Sequence, residues 1–317
     1  MLRLASRGST LALWQAHHVQ ARLRSLHSDL DVVIDVLRTT GDRITDVPLA
    51  MIGDRGLFTK ELDNAVLDGR ADLAVHSYKD VPTRLPDGLV LAAILDREDP
   101  RDAFLHAPAR PPTIAGLPAG ARIGTSSLRR RALLLEARPD IVVDDLRGNL
   151  DSRIEKLVEG RYDGIILALA GLRRFGRDDL AGELLGPPRW LPAAGQGALA
   201  IVTRANDPET LAQVRPLNDD VARVTTDAER AFLACLEGGC QIPIGALAVL
   251  DGPSLVLRGL VASLDGRTVV RGELTGSAGD AARVGEELAR KLIEDGAGDV
   301  LLAVRSANED TPQPPAP

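Results

Sequence analysis

Leu2-Arg3-Leu4-Ala5-Ser6-Arg7-Gly8-Ser9-Thr10-Leu11-Ala12-Leu13-Trp14-Gln15 reads as a short apolar strand that turns through glycine and serine into a helix. The strand covers Leu2 to Ser6, the helix Leu11 to Leu26, and a second apolar strand Val32 to Leu37, so the chain opens on a β-α-β unit. A further helix fits Leu57 to Leu67, stopped by Asp68-Gly69, and Ala71 to Val75 is a buried strand running into His76-Ser77-Tyr78-Lys79-Asp80. The loop after such a strand is where α/β sheets take ligands. Asp96 to Asp102 and the proline-rich Ala107 to Pro118 cross into a second unit that alternates again: strand Arg122 to Gly124, helix Leu128 to Ala137, strand Ile141 to Asp144, helix Leu150 to Glu159, strand Gly164 to Ala168. Two similar α/β lobes follow. Beyond Thr225, a helix Ala228 to Leu236, strands Ala246 to Val249, Leu255 to Ser263 and Thr268 to Leu274, and a helix Ala281 to Asp295 make a smaller α+β unit.

The chain has 317 residues, 44% of them hydrophobic and only 3% aromatic, with a net charge of −7. That length supports two or three cores. Few aromatic rings and an acidic balance argue against nucleic-acid binding. No apolar run approaches the roughly 20 residues that span a bilayer. Met1 to Thr10 holds two arginines and no continuous apolar stretch, so a cytoplasmic location is expected. Lys60, Lys79, Lys156 and Lys291 are the only lysines among 38 basic residues. Arginine grips carboxylates in a bidentate fork that lysine cannot form.

Two helix starts set Ser, Thr or Gly beside arginine: Ser6-Arg7-Gly8-Ser9-Thr10 and Gly124-Thr125-Ser126-Ser127-Leu128-Arg129-Arg130. Free N–H groups and the positive helix end favour anions there, although the same hydroxyls serve as ordinary caps. With Arg147, Arg153 and Arg174 the pattern points to a polyanionic small molecule between two lobes. In Gly238-Gly239-Cys240-Gln241-Ile242-Pro243, glycines and a proline hold Cys240 on a turn, making it the candidate reactive thiol, whereas Cys235 sits in an apolar helix. His17, His18, His27 and His76 give neither a protease base nor a metal-ligand spacing, so no metal is expected.

Five segments, in order over almost the whole chain, together resemble the porphobilinogen deaminase family: Ala5 to Gln15, His76-Ser77-Tyr78-Lys79-Asp80-Val81-Pro82, Gly124 to Arg130, Leu146-Arg147-Gly148-Asn149 and Gly238 to Pro243. The resemblance implies two type II periplasmic-binding-protein-like α/β lobes plus a small α+β C-terminal domain. Domain 1 would take residues 1–96 and about 196–216, domain 2 97–195 and domain 3 217–307, with 308–317 a disordered tail. It implies a dipyrromethane cofactor joined to Cys240 by a thioether and bound by Lys79, Ser127, Arg129, Arg130 and Gly148. Asp80 would be the catalytic carboxylate. Arg7, Ser9, Arg147, Arg153 and Arg174 would bind porphobilinogen, four of which condense with loss of ammonia into the linear hydroxymethylbilane. The family expectation is a monomer. One departure lies in Met51 to Phe58, where Asp54-Arg55-Gly56 replaces the common Gly-Lys-Gly of a mobile lid and Arg55 keeps the positive charge.

Two other readings use the same arginines. One is a non-catalytic two-lobed carboxylate-binding protein, which would leave Cys240 without a role, and the other is a thiol-dependent transferase acting on anions.

Overall fold

Strands without polar alternation, such as Leu73–Ser77 and Gly164–Ala168, need cover on both faces, and helices supply it on either side of two sheets. The computed structural model describes residues 1–39, 41, 59–236 and 242–309. In the first sheet β1 (Leu2–Arg7), β2 (Val32–Leu37) and β3 (Leu73–Ser77) run parallel, with helices α1 (Thr10–Leu26) and α2 (Lys60–Leu67) between them. β4 (Leu89–Ile94) and the late strand β10 (Leu199–Arg204) complete the order β2-β1-β3-β10-β4, β10 being antiparallel to both neighbours.

The second sheet repeats this plan. β5 (Asp102–His106), β6 (Arg122–Gly124), β7 (Val142–Asp144), β8 (Gly164–Ala168) and β9 (Glu183–Leu185) lie in the order β7-β6-β8-β5-β9, with β5 now the antiparallel strand. Helices α3 (Leu128–Ala137), α4 (Leu150–Val158) and α5 (Leu169–Arg174) follow β6, β7 and β8. Each lobe therefore receives its antiparallel strand from one of two crossovers. These run side by side, Leu95 N–H donating to Leu199 O at 3.0 Å and Glu98 N–H to Gly197 O at 3.2 Å.

After α6 (Pro208–Val214) and α7 (Asp220–Cys235), three antiparallel strands, β11 (Ile244–Asp251), β12 (Ser254–Ala262) and β13 (Val269–Ser277), carry α8 (Ala281–Leu292) and α9 (Gly298–Glu309). Phe232, Leu257 and Leu288 are fully buried in their core. Leu247, Leu260 and Ala262 pack instead with Trp190 and Leu191 into the second lobe. The whole is mixed α/β: two sheet-containing lobes and a small three-stranded sheet with helices.

Several expected bounds move. The helix expected from Ala228 begins at Asp220, because Asp219 caps it, its carboxylate accepting from Ala222 N–H at 2.7 Å, and burial outweighs the weak helix preference of Thr225 and Thr226. The helix from Ala281 ends at Leu292 rather than Asp295, before Gly296 at φ 106°. Asn308 and Glu309, expected in the tail, close α9, which is anchored by buried Val300, Leu301 and Val304. Residues 310–317 lie outside the described residues. β3 falls two residues later than Ala71 to Val75, leaving Tyr78–Asp80 as a single 3-10 turn at its end. β4, β5, β9 and β10 carry no mark in the pattern read above.

Candidate active site

The chain leaving β1, β3, β6 and β8 lines one cleft of about 2230 Å³ between the lobes. Caps shape its rim. Ser9, Ser127 and Asn149 accept from the N–H groups of Ala12, Arg130 and Ser152 at 3.4, 3.4 and 2.9 Å, so the hydroxyls expected at an anion site also cap their helices. Among the described residues lining the cleft, ten are Arg or Lys and four are Asp. Asp80 is exposed into this space at the end of the β3 turn, beside half-buried Lys79.

Burial, and next the nearby Arg130, push the Lys79 ammonium down to about 8, although Asp80 and Asp102 pull it back up. Burial followed by Arg130 and Arg147 pushes Arg153 down to about 10, and burial lowers Arg147 and Arg174 as well. Cations crowded and desolvated in this way gain most from a bound anion. A molecule bearing acetate and propionate groups on each pyrrole fits that donor set. Arg7, Ser9, Ser127, Arg147, Gly148, Arg153 and Arg174 all line the cleft. Within it Arg153 Nε also donates to Gly148 O at 2.8 Å, and Arg174 Nη2 to Gly197 O at 2.5 Å with its guanidinium 5.8 Å from the Trp14 ring.

Arg129 and Arg130 are placed differently from a pair of open anion ligands. Both converge on Asp102, which is 0% exposed: Arg129 Nη1 reaches its Oδ2 at 2.8 Å and Arg130 Nη2 its Oδ1 at 2.7 Å. Trp190 Nε1–H and Gln196 Nε2–H donate to the same carboxylate at 2.8 and 2.9 Å. Burial opposes its ionisation, but the two guanidinium groups outweigh burial and hold the carboxyl far below the usual range. Two cations share one carboxylate, so one positive charge remains at the cleft wall. Sequence alone made neither Asp102 nor Gln196 a candidate site residue. The available signal was an acid opening the apolar run Ala103-Phe104-Leu105.

His76 and Tyr78 have structural surroundings. His76 is buried with Nε2 3.4 Å from Asp63, and Tyr78 is buried beneath Arg230 at 4.4 Å, its hydroxyl pushed up to about 12 mainly by burial. Cys235 closes α7 against the third core. Cys240 and the segment Met51 to Phe58 lie outside the described residues, but Leu233, Ala234 and Ile242, on either side of the cysteine segment, line the cleft.

These features define a two-lobed α/β protein whose cleft between the lobes offers the cations a polycarboxylate needs, with a third unit reaching the same cleft. The chain belongs to the porphobilinogen deaminase family. Residues 2–212 match that family's "dipyromethane cofactor binding domain" and residues 224–294 its C-terminal domain. It is 50% identical over 313 residues to a porphobilinogen deaminase of Nitratidesulfovibrio vulgaris (strain DSM 19637 / Miyazaki F), covering 97% of this chain and 98% of that protein. Among solved structures, a Burkholderia cenocepacia nutrient binding protein bound to methionine matches with TM-score 0.42 and 12% identity, covering 68% of this chain and 92% of that one. A Salmonella typhimurium periplasmic binding protein of high arginine specificity matches with TM-score 0.40 and 13% identity, covering 70% and 93%. Those two likenesses are too slight to bear on function. The family assignment makes the protein a transferase that condenses porphobilinogen into hydroxymethylbilane on a dipyrromethane cofactor.

Proposed function

We propose that Asp80 is the catalytic carboxylate, that Cys240 carries the dipyrromethane through a thioether, and that the cationic cleft wall binds the carboxylates of cofactor and substrate. The carrying observation is the position of Asp80 and Lys79 at the end of β3, facing a cleft whose charged lining residues are mostly cations. When bound, the dipyrromethane supplies the nucleophilic pyrrole carbon to which porphobilinogen is joined. Asp80 faces the cation left when ammonia departs from porphobilinogen, acts as its fixed counterion, and accepts the proton released after carbon–carbon coupling. Lys79, Ser127, Gly148 and the single unbalanced charge of the Arg129–Arg130–Asp102 cluster hold the cofactor. Arg7, Ser9, Arg147, Arg153 and Arg174 hold substrate carboxylates.

The sheet membership of the strands supports dividing the chain into 1–96 with 196–216, 97–195 and 217–307. Among the described residues no helix is long and apolar enough to cross a membrane. We place the enzyme in the cytoplasm as a monomer that engages neither nucleic acid nor membrane.

The reading is tested by ammonia release from porphobilinogen as a function of pH. Lys79 attracts carboxylates only while protonated, so its contribution is present below about pH 8 and lost as the pH rises through that value. The free enzyme's kcat/KM should therefore show an alkaline limb near pH 8. Lys79→Arg, protonated throughout, should move that limb upward by a unit or more, as roughly expected for a guanidinium with pKa above 12. An unchanged limb removes Lys79 from the binding set, and no ammonia release at any pH removes the reading itself.

A further inference from the structure

Gln196 is 1% exposed and lies where the second crossover enters the first lobe. Its Nε2–H donates to Pro100 O at 2.7 Å and to Asp102 Oδ1 at 2.9 Å, which fixes the amide the one way round. Its Oε1 is thereby turned to Lys79, whose Nζ donates to it at 3.3 Å. The backbone is held as firmly: Gln196 O accepts from Arg97 Nε at 2.9 Å and its N–H donates to Ala193 O at 3.0 Å.

The flanking glycines permit this seat. Gly195 and Gly197 adopt φ of 73° and 95°, a region that side chains disfavour. A Cβ on Gly195 would meet Tyr78 Cδ1 at 3.2 Å, and one on Gly197 would fall on Glu98 O. The loop is thus pressed between the turn that carries Asp80 and the first crossover. One amide joins the Arg129–Arg130–Asp102 cluster of the second lobe to the ammonium beside the catalytic carboxylate of the first.

We propose that Gln196 is a positioning residue, which takes its orientation from Asp102 and Pro100 and aims the Lys79 ammonium at cofactor and substrate carboxylates beside Asp80. One N–H of Lys79 is committed to the amide and two remain for carboxylates. A neutral acceptor does this without neutralising the charge, as a carboxylate in the same place would. The inference rests on the reading of Lys79 as a carboxylate ligand.

The groups facing Lys79 are Asp80 from its own turn, Asp102 from β5, and Arg129 and Arg130 from α3. Gln196→Met keeps the length of the side chain and removes the acceptor, so the ammonium loses stabilisation while those four charges stay. In the cofactor-loaded enzyme its alkaline limb should move to lower pH by about half a unit or more, the equivalent of one hydrogen bond. KM for porphobilinogen should rise more than kcat falls. Gln196→Asn, whose shorter amide cannot span Lys79 and Asp102 together, should move the limb the same way and serves if the Met protein does not fold. A general loosening of the fold would lower the urea midpoint and kcat without moving the limb. A folded variant whose limb stays where the unmodified enzyme has it, while Lys79→Arg displaces it, overturns the positioning role and leaves the Lys79 reading standing. If Lys79→Arg leaves the limb in place, the Lys79 reading fails first.

Discussion

Asp80→Asn is expected to lower turnover by about 10²-fold or more, the loss typical of deleting one preorganised charge-stabilising group. Asparagine keeps the shape of the side chain and one hydrogen-bonding oxygen but removes the negative charge. The cation formed on loss of ammonia then stands in a cleft whose charged lining residues are mostly cations, with no fixed counterion at the end of β3. Because Asp80 is exposed and caps no helix, folding should be nearly unaffected. Asp80→Glu restores the charge one methylene further out and should keep slow activity, because the carboxylate is displaced from the ring nitrogens. Single-turnover ammonia release from cofactor-loaded protein reads the effect. Near-normal turnover in the Asn variant would leave the cleft as a binding site only.

Asp102→Ala is expected to cost about 3–5 kcal/mol of stability, because removing one partner of a buried ionic cluster leaves the other charges uncompensated. Arg129 and Arg130 would both be stranded, and Trp190 and Gln196 would each lose an acceptor. The urea midpoint of the variant measures this, and a loss under about 1 kcal/mol would show that the cluster relaxes without cost. The pH dependence has a definite sign. The Asp102 pKa is depressed in the folded state, so its stabilisation is complete above the unfolded-state value of roughly 4 and is lost as the pH falls below it. Asp102→Asn should therefore show a shallower loss of stability below about pH 4 than the unmodified protein.

Helix starts were legible in the sequence because caps are local: Ser9, Ser127 and Asn149 each bond a backbone N–H three residues on. The β-α-β openings of both lobes follow from the same short-range pattern. The Asp102 cluster could not be read this way, since its partners Arg129, Arg130, Trp190 and Gln196 stand 27, 28, 88 and 94 residues away. Arg129 and Arg130 were thus legible as basic residues at a cleft and not as partners of a buried acid. The antiparallel strands β5 and β10 also escaped the pattern, because each belongs to its sheet through pairing with strands distant in the chain. Glu229, 0% exposed, escaped for the same reason: it joins Arg97 of the first crossover, at 2.6 Å, to the N–H groups of Gly195 and Ala248. Sequence separation hides such contacts, since no local propensity depends on them.

The intact mass of the purified protein tests the central claim most directly. The measured mass should exceed that of the 317-residue sequence by one dipyrromethane unit. Cys240→Ser should remove the adduct, and Cys235→Ser, altering a thiol packed against the third core, should keep it. An unmodified protein that is fully active at its bare sequence mass, or an adduct that disappears only with Cys235, would contradict the account.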